Sequence, residues 1–370
     1  MNILKLASLL LITTLTSITY AGVTLDSFEE SSIRIADPNG STTETRLLWN
    51  QYEGDPTEGP DPGSEEISNT ESIDGNQSLK INVSSGNIYA QFYSHINSTT
   101  WDWLRSFITE GSWEFNTYNR LRFWVKLPPG ISKAGDGQSN THFATYYRKS
   151  TGDTSSAESG GNHFYHYYDI ESTGQWHQII VDWHPNHIRG RNGGTDWGQR
   201  EHPTGESNFN YFDLMTRFYF DVRGDLPNYP ADFYLDGFVL YEETNPENID
   251  QIYGLNGVYV PSSNEVQVGW MRDKGENSIN HEVRYAFSNI HSLGWDNATP
   301  APNGILSPKG WGGYNSMDYT STSIQMGQND AIYIAIKPTN STLFRQITIP
   351  VSESALSSAP NAPTNIQISY

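Results

Sequence analysis

The stretch Asn162–Arg191 reads NHFYHYYDIESTGQWHQIIVDWHPNHIRGR. It contains two runs of strand length, rich in aromatic and β-branched residues, and it lacks an apolar repeat of 3.6 residues. Similar runs recur between residues 23 and 243, namely Ser78–Val83, Asn87–Tyr93, Arg120–Lys126, His142–Arg148, Arg217–Val222 and Phe233–Tyr241. Because no sustained helical pattern separates them, these runs predict an all-β antiparallel sandwich or barrel and argue against a parallel α/β fold.

The composition excludes several classes of protein. Of the 370 residues, 13% are aromatic and none is cysteine. The aromatic content argues against disorder, and the missing cysteines exclude a disulfide scaffold and a thiolate zinc site. With 22 Lys and Arg against 42 Asp and Glu, the formal net charge is −20, a poor match for nucleic acids or anionic membranes. A polyanionic partner would therefore need a local basic pocket.

The two ends of the chain carry separate signals. Residues 1–21 combine Lys5, a short apolar run and the small residues Thr19 and Ala21 at the −3 and −1 positions of a cleavage site. The apolar run is too short to span a bilayer, so we expect a signal peptide and a secreted or cell-surface protein without membrane insertion. Residues 353–370 read as a linker and the first strand of a further, truncated domain.

Residues 249–352 begin at the end of the linker Thr244–Asp250 and carry the runs VQVGW, HEVRYAF and AIYIAIKP. These runs resemble strands B, C and F of a fibronectin type III domain, with Trp270 as the core tryptophan and Tyr285 as the strand C aromatic. The resemblance implies an immunoglobulin-like β-sandwich that acts as a spacer or a low-affinity binding unit.

Residues 22–244 form the other predicted unit. Its opening LDSFEESS and its closing FYLDGFVLYEE resemble the first and last strands of jelly-roll carbohydrate-binding modules. That resemblance implies a jelly-roll β-sandwich with a structural Ca²⁺ shared by Glu29 and Asp236, and carboxylates suit such a hard cation. The sequence departs from the family at Gly237, where a second Asp is common. The alternative is that both acids are ordinary edge carboxylates.

The quoted stretch also indicates a ligand. Alternate strand residues share a face, so His163 and Tyr165 fall on one face and His166 and Tyr168 on the other. Aromatic planes suit the C–H faces of sugars, and arginines can clamp uronate or sulfate groups. We predict six ligand-binding residues: His163, Tyr165, Trp183, His187, Arg189 and Trp197. The alternative is that many of these aromatic residues fill the core.

The same residue types suggest a second chemistry, β-elimination of a uronate polymer. An arginine neutralises the carboxylate, a His or Tyr removes the C5 proton, and a Tyr protonates the leaving oxygen. The catalytic candidates for this reaction are His166, Tyr168, Arg148 and His177. Hydrolysis would instead need two carboxylates about 5–10 Å apart, and no spacing singles out such a pair.

The leading hypothesis is a secreted carbohydrate-binding protein of a polysaccharide-degrading system. Its partner is a polysaccharide, with uronate-containing or sulfated polymers among the candidates, and further domains of a longer chain are also expected. Two alternatives stay open. The jelly roll is itself a polysaccharide lyase or glycoside hydrolase, or the protein is a cell-surface adhesin.

Overall fold

The computed structural model describes residues 23–29, 48–51, 64–83, 88–95, 120–130, 141–148, 162–168, 170, 173–182, 189–191, 214–224, 230–241, 252–273, 279–306, 309–310 and 317–351. Within these ranges it has twenty β-strands, one four-residue helix and one short 3₁₀ turn. The predicted all-β class is therefore confirmed. None of the helical residues described belongs to a helix long and apolar enough to cross a membrane.

The largest sheet has ten strands: β1 (Val23–Asp26), β3 (Ser64–Ser68), β4 (Ser78–Val83), β6 (Arg120–Lys126), β9 (Trp176–Asp182), β12 (Ala231–Tyr241), β13 (Tyr253–Val260), β14 (Glu265–Asp273), β17 (Lys309–Gly310) and β18 (Met317–Gln325). Its order is β17-β18-β14-β13-β9-β6-β12-β4-β3, and β1 also pairs with β12. The strand pairs are antiparallel, as predicted.

Two smaller sheets complete the strand set. A six-stranded sheet has the order β10-β8-β7-β11-β5-β2 and consists of β2 (Leu48–Gln51), β5 (Ile88–His95), β7 (Thr141–Arg148), β8 (Asn162–Tyr168), β10 (Arg189–Arg191) and β11 (Leu214–Gly224). A four-stranded sheet has the order β16-β15-β19-β20 and consists of β15 (His281–Ala286), β16 (Thr299–Leu306), β19 (Ala331–Pro338) and β20 (Arg345–Pro350). Helix α1 (Ile290–Leu293) and the 3₁₀ turn (Trp295–Asn297) follow β15.

The ten-stranded sheet buries an apolar face in the N-terminal region. Phe123 of β6 lies opposite Ile179 of β9, and both are fully buried. The Phe123 ring stacks on Phe238 of β12 at 4.7 Å between centroids, and Phe28 contacts the same ring edge-on at 6.2 Å. Alternation of apolar residues along β6 and β9 is what places these side chains on one face.

A second core lies between the C-terminal part of this sheet and the four-stranded sheet. Trp270 of β14 is fully buried there, among isoleucines of β19 and β20. Its Nε1 donates to Nδ1 of His281 at 2.9 Å. Tyr285 is partly buried and packs against this same core. The prediction that Trp270 is a core tryptophan is thus confirmed.

The ten-stranded sheet is continuous across the predicted linker. Strand β13 pairs with β9, and Asn256 lies opposite Ile179. Ile180 of β9 belongs to the C-terminal core together with Ile252 and Leu255. The division into residues 22–244 and 249–352 stays a prediction. The same holds for the jelly-roll and fibronectin type III architectures assigned to these two regions. What the structure adds is that backbone hydrogen bonds and a shared core join the two regions.

Candidate functional site

The six-stranded sheet contains a continuous row of basic and aromatic positions. His163 of β8 pairs with Arg191 of β10 on one side and with Tyr146 of β7 on the other. Tyr146 pairs with Arg217 of β11, and Arg217 pairs with His95 of β5. Directly opposed residues of an antiparallel ladder share a face, so these five positions lie on one face of the sheet.

A second row lies two residues along each strand and therefore shares that face. Tyr165 pairs with Arg189 and with Ala144. Ala144 pairs with Tyr219, and Tyr219 pairs with Tyr93. The two rows together place histidine, tyrosine and arginine on five adjacent strands.

The register sorts the residue types of this sheet between its two faces. All six charged residues of the six strands fall on the face of these rows: Arg148, Arg189, Arg191, Arg217, Asp221 and Arg223. All five phenylalanines fall on the opposite face: Phe92, Phe143, Phe164, Phe218 and Phe220. We call the first of these the Arg/His/Tyr face. Such a division is typical of an antiparallel sheet with one face packed on a core.

The structure brings some predicted site residues together and separates others. Arg148, His163, Tyr165 and Arg189 share the Arg/His/Tyr face. Two of the catalytic candidates, His166 and Tyr168, take the register positions opposite Phe143 and Thr141, on the phenylalanine face. The ligand-binding candidates Trp183, His187 and Trp197 lie outside the described residues.

The catalytic candidate His177 is separated from the others. It lies on β9 of the ten-stranded sheet, opposite Val125 and Val258, and is only 2% exposed. Sequence reasoning, in turn, missed Arg217 and His95, although they lie in the row of His163. The sequence shows which face of its own strand each of these two residues occupies. It does not show that β11 and β5 are neighbours in one sheet.

The two predicted calcium ligands meet the loop that precedes β4. Asp236 of β12 is fully buried, and its Oδ2 accepts hydrogen bonds from the backbone N–H groups of Ile73 at 2.9 Å and Asp74 at 3.0 Å. Burial raises the pKa of Asp236 well above its ordinary value; the backbone hydrogen bonds oppose this shift, and the charge of Asp74 adds to it. Among the residues that the structure describes, Oδ1 of Asp236 has no hydrogen-bond partner.

Glu29 contacts the same loop from its exposed side. Its Oε1 accepts from the backbone N–H groups of Asn76 at 2.7 Å and Gln77 at 2.8 Å. Gly237 of β12 lies against the same loop. It has a φ of +56°, and a Cβ there would lie 2.7 Å from Oδ2 of Asp74. A side chain at residue 237 would therefore displace the loop.

A calcium ion suits one of these two acids better than the other. Among the described residues, Oδ1 of the buried Asp236 accepts no hydrogen bond, whereas Oε1 of Glu29 already accepts two N–H groups. Nowhere in the described ranges do three or more His, Asp or Glu side chains stand where they could hold a metal ion together. Calcium binding stays a prediction, with Asp236 as its better-supported ligand.

No protein-family model and no curated protein matches this sequence. Among solved structures, the Endo-D glycoside hydrolase domain from Streptococcus pneumoniae R6 is similar at 10% identity over 84% of this chain and 37% of that one, with a TM-score of 0.27. A beta-1,2-glucanase from Parabacteroides distasonis is similar at 13% identity over 89% and 40%, with a TM-score of 0.28. The Caldicellulosiruptor saccharolyticus CBM27-1 in complex with mannohexaose is similar at 12% identity over 60% of this chain and 98% of that one, with a TM-score of 0.27. The chain thus spans well under half of the first two structures.

Proposed function

We propose that this chain is a secreted carbohydrate-binding protein of a polysaccharide-degrading system, and that it binds its ligand on the Arg/His/Tyr face. The observation that carries the proposal is the composition of that face in the observed register. Besides its arginines it holds Tyr89, Tyr93, Tyr146, Tyr165, Tyr167, Tyr219, His95, His142 and His163. Secretion is supported by the signal-like residues 1–21.

These residue types match the chemistry of a sugar. A pyranose ring has apolar C–H faces, which pack on aromatic planes, and hydroxyl groups at its edge, which pair with Tyr, His and Arg groups. Charged side chains are almost never fully buried unless they are paired. Phenylalanines suit packing on a core, so the Arg/His/Tyr face is the one that we assign to the ligand.

The register also favours a second candidate function, a polysaccharide lyase. His163, Tyr146 and Arg217 occupy adjacent strands of one row. β-elimination requires three groups: an arginine to neutralise the uronate carboxylate, an acceptor for the C5 proton, and a tyrosine to protonate the leaving oxygen. This trio replaces the catalytic candidates selected from sequence. Of those, His166 lies on the phenylalanine face and His177 lies in the ten-stranded sheet.

The binding proposal predicts a defined phenotype for Tyr165. With residues 22–370 on a panel of polysaccharides, Tyr165→Ala is expected to weaken retention by about 1–3 kcal/mol, the scale of burying one apolar side chain. Tyr165→Phe keeps the ring and should retain most of the affinity. Retention would be measured by affinity electrophoresis, and each mixture would be assayed for unsaturated products.

Two outcomes of this panel are decisive. If no polysaccharide is retained, or if Tyr165→Ala binds as tightly as the parent, the proposed binding face is wrong. If the chain releases unsaturated products and His163→Ala abolishes that release while retention persists, the lyase becomes the better description.

We also propose that Asp236 holds a structural Ca²⁺, with Asp74 as a neighbouring carboxylate. Because a ligand of the folded state stabilises it by mass action, a chelator should lower Tm and added Ca²⁺ should restore it. A free Ca²⁺ concentration of about 100 times Kd would raise the free energy of unfolding by about 2.7 kcal/mol. Asp236→Asn should remove the response, as differential scanning calorimetry would show.

Asp232 provides the matched control for the calcium experiment. It lies on the same strand, is partly exposed, and pairs with Lys80 at 3.5 Å. Asp232→Asn should change stability by no more than about 1 kcal/mol, as for surface ion pairs, and should leave the calcium response intact. An identical Tm in calcium and in chelator would rule out the ion.

A further inference from the structure

We infer that the polysaccharide bound by the Arg/His/Tyr face is a polyanion, carrying carboxylate or sulfate groups, and that Arg217 lies at the centre of its binding site. This inference rests on the proposed carbohydrate-binding function and names the ligand class of the same face. Neither Arg217 nor His95 was among the residues that sequence reasoning selected.

The charge of this face is opposite in sign to that of the whole chain. The whole chain has a formal net charge of −20. Against that background, the six strands of this sheet contain five arginines and a single acid, Asp221, all on one face. Within these six strands, arginines therefore outnumber acids by five to one. A concentration of one sign on a surface raises the local concentration of oppositely charged ligands.

The arginines of this face are spread over several strands. Arg191 and Arg217 belong to one row, on β10 and β11, which are three strand steps apart. At about 4.8 Å per step, their backbones are about 14 Å apart. At that separation, each guanidinium can pair with a different anionic group. A polymer with repeated anionic groups supplies several such groups along its length.

The residue type on this face also favours an oxyanion. Its five Lys or Arg positions are all arginine. The planar guanidinium binds carboxylate and sulfate-like oxyanions through two parallel hydrogen bonds, which an ammonium group cannot do. Tyrosines in the neighbouring positions of the same rows add ring surface for the sugar itself.

The test uses residues 22–370 and two matched pairs of polymers. Polygalacturonate is compared with its carboxyl-reduced neutral form, and dextran sulfate is compared with dextran. At low ionic strength we expect at least tenfold tighter binding of the charged member of one pair. The preference should fall as salt is added, because exposed charges are screened. The two pairs distinguish carboxylate from sulfate as the recognised group.

Variants locate the effect on the proposed face. Arg217→Gln should lower the preference for the charged polymer at least fivefold, and Arg217→Lys should restore it only in part, because the bidentate geometry is lost. Arg284→Gln is the matched control. Arg284 lies on the four-stranded sheet and pairs with Glu282 at 2.8 Å, so its removal changes the net charge equally without touching the proposed site. If Arg217→Gln fails to fold, Arg189→Gln on edge strand β10 replaces it.

The possible results separate this inference from the function on which it rests. The inference of a polyanionic ligand would be wrong if the charged and neutral members of both pairs bound equally well. It would also be wrong if the arginine variants kept the full preference for the charged polymer. Carbohydrate binding would stand in either case. Binding to no member of either pair and to no glycan of the wider panel would overturn both.

Discussion

Replacing Ile180 by aspartate is expected to destabilise the N-terminal and C-terminal regions together, by about 4 kcal/mol or more. Ile180 lies on β9 of the N-terminal region, is 2% exposed, and packs in the C-terminal core with Ile252 and Leu255. An aspartate there would place an unpaired charge in an apolar environment, which is among the most destabilising of single substitutions. Urea unfolding followed by tryptophan fluorescence, together with limited proteolysis, would measure the loss.

Ile180→Val is the control for this experiment. It removes one methylene group from the same site and should cost about 0.5–1.5 kcal/mol. A C-terminal region that stays resistant to protease in Ile180→Asp, with its own unchanged unfolding transition, would contradict the expectation. That result would favour the division into units 22–244 and 249–352 that fold independently.

Trp270→Ala is expected to cost about 3–5 kcal/mol of unfolding free energy, the usual range for truncating a buried aromatic residue. Trp270 is fully buried, and its ring meets His281 edge-on with centroids 5.8 Å apart. The substitution leaves a cavity between two sheets and removes the donor to Nδ1 of His281. Equilibrium urea denaturation of the full chain would measure the change.

Trp270→Phe separates the two contributions at this site. It keeps an aromatic ring in the core and removes the hydrogen bond to His281, so we expect a smaller loss of about 1–3 kcal/mol. Equal stability of the alanine variant and the parent would mean that Trp270 is not the centre of the C-terminal core. The glycan affinity of both variants should stay unchanged, because β14 is not part of the six-stranded sheet.

Local sequence patterns predicted many of the strands, although β16 and β18 have no predicted counterpart. The predicted runs Ser78–Val83 and Arg120–Lys126 coincide with β4 and β6. The run Asn87–Tyr93 corresponds to β5, Ile88–His95. These matches follow from physical causes that act within a few residues. β-branched and aromatic residues favour the extended backbone, and turn residues end it.

The candidate site was predicted only in part, because its members come from separate strands. Alternation along β8 placed His163 and Tyr165 on one face, and the structure keeps them there together with Arg189. The same alternation places His166 on the other face, but alternation within one strand does not show which residues lie beside either face. The register supplied that information, by pairing His166 with Phe143.

The sequence by itself determined the all-β class, the positions of many of the strands and the two faces of each of these strands, because alternation and turn chemistry are local properties. Only the tertiary structure decided that Arg217 lies beside Tyr146, that β13 extends the sheet from β9, and that Asp236 is buried beneath the loop before β4. Strand neighbours and burial depend on contacts between segments far apart in the chain. A strand of given composition can pair with several partners, and packing of the whole molecule selects among them.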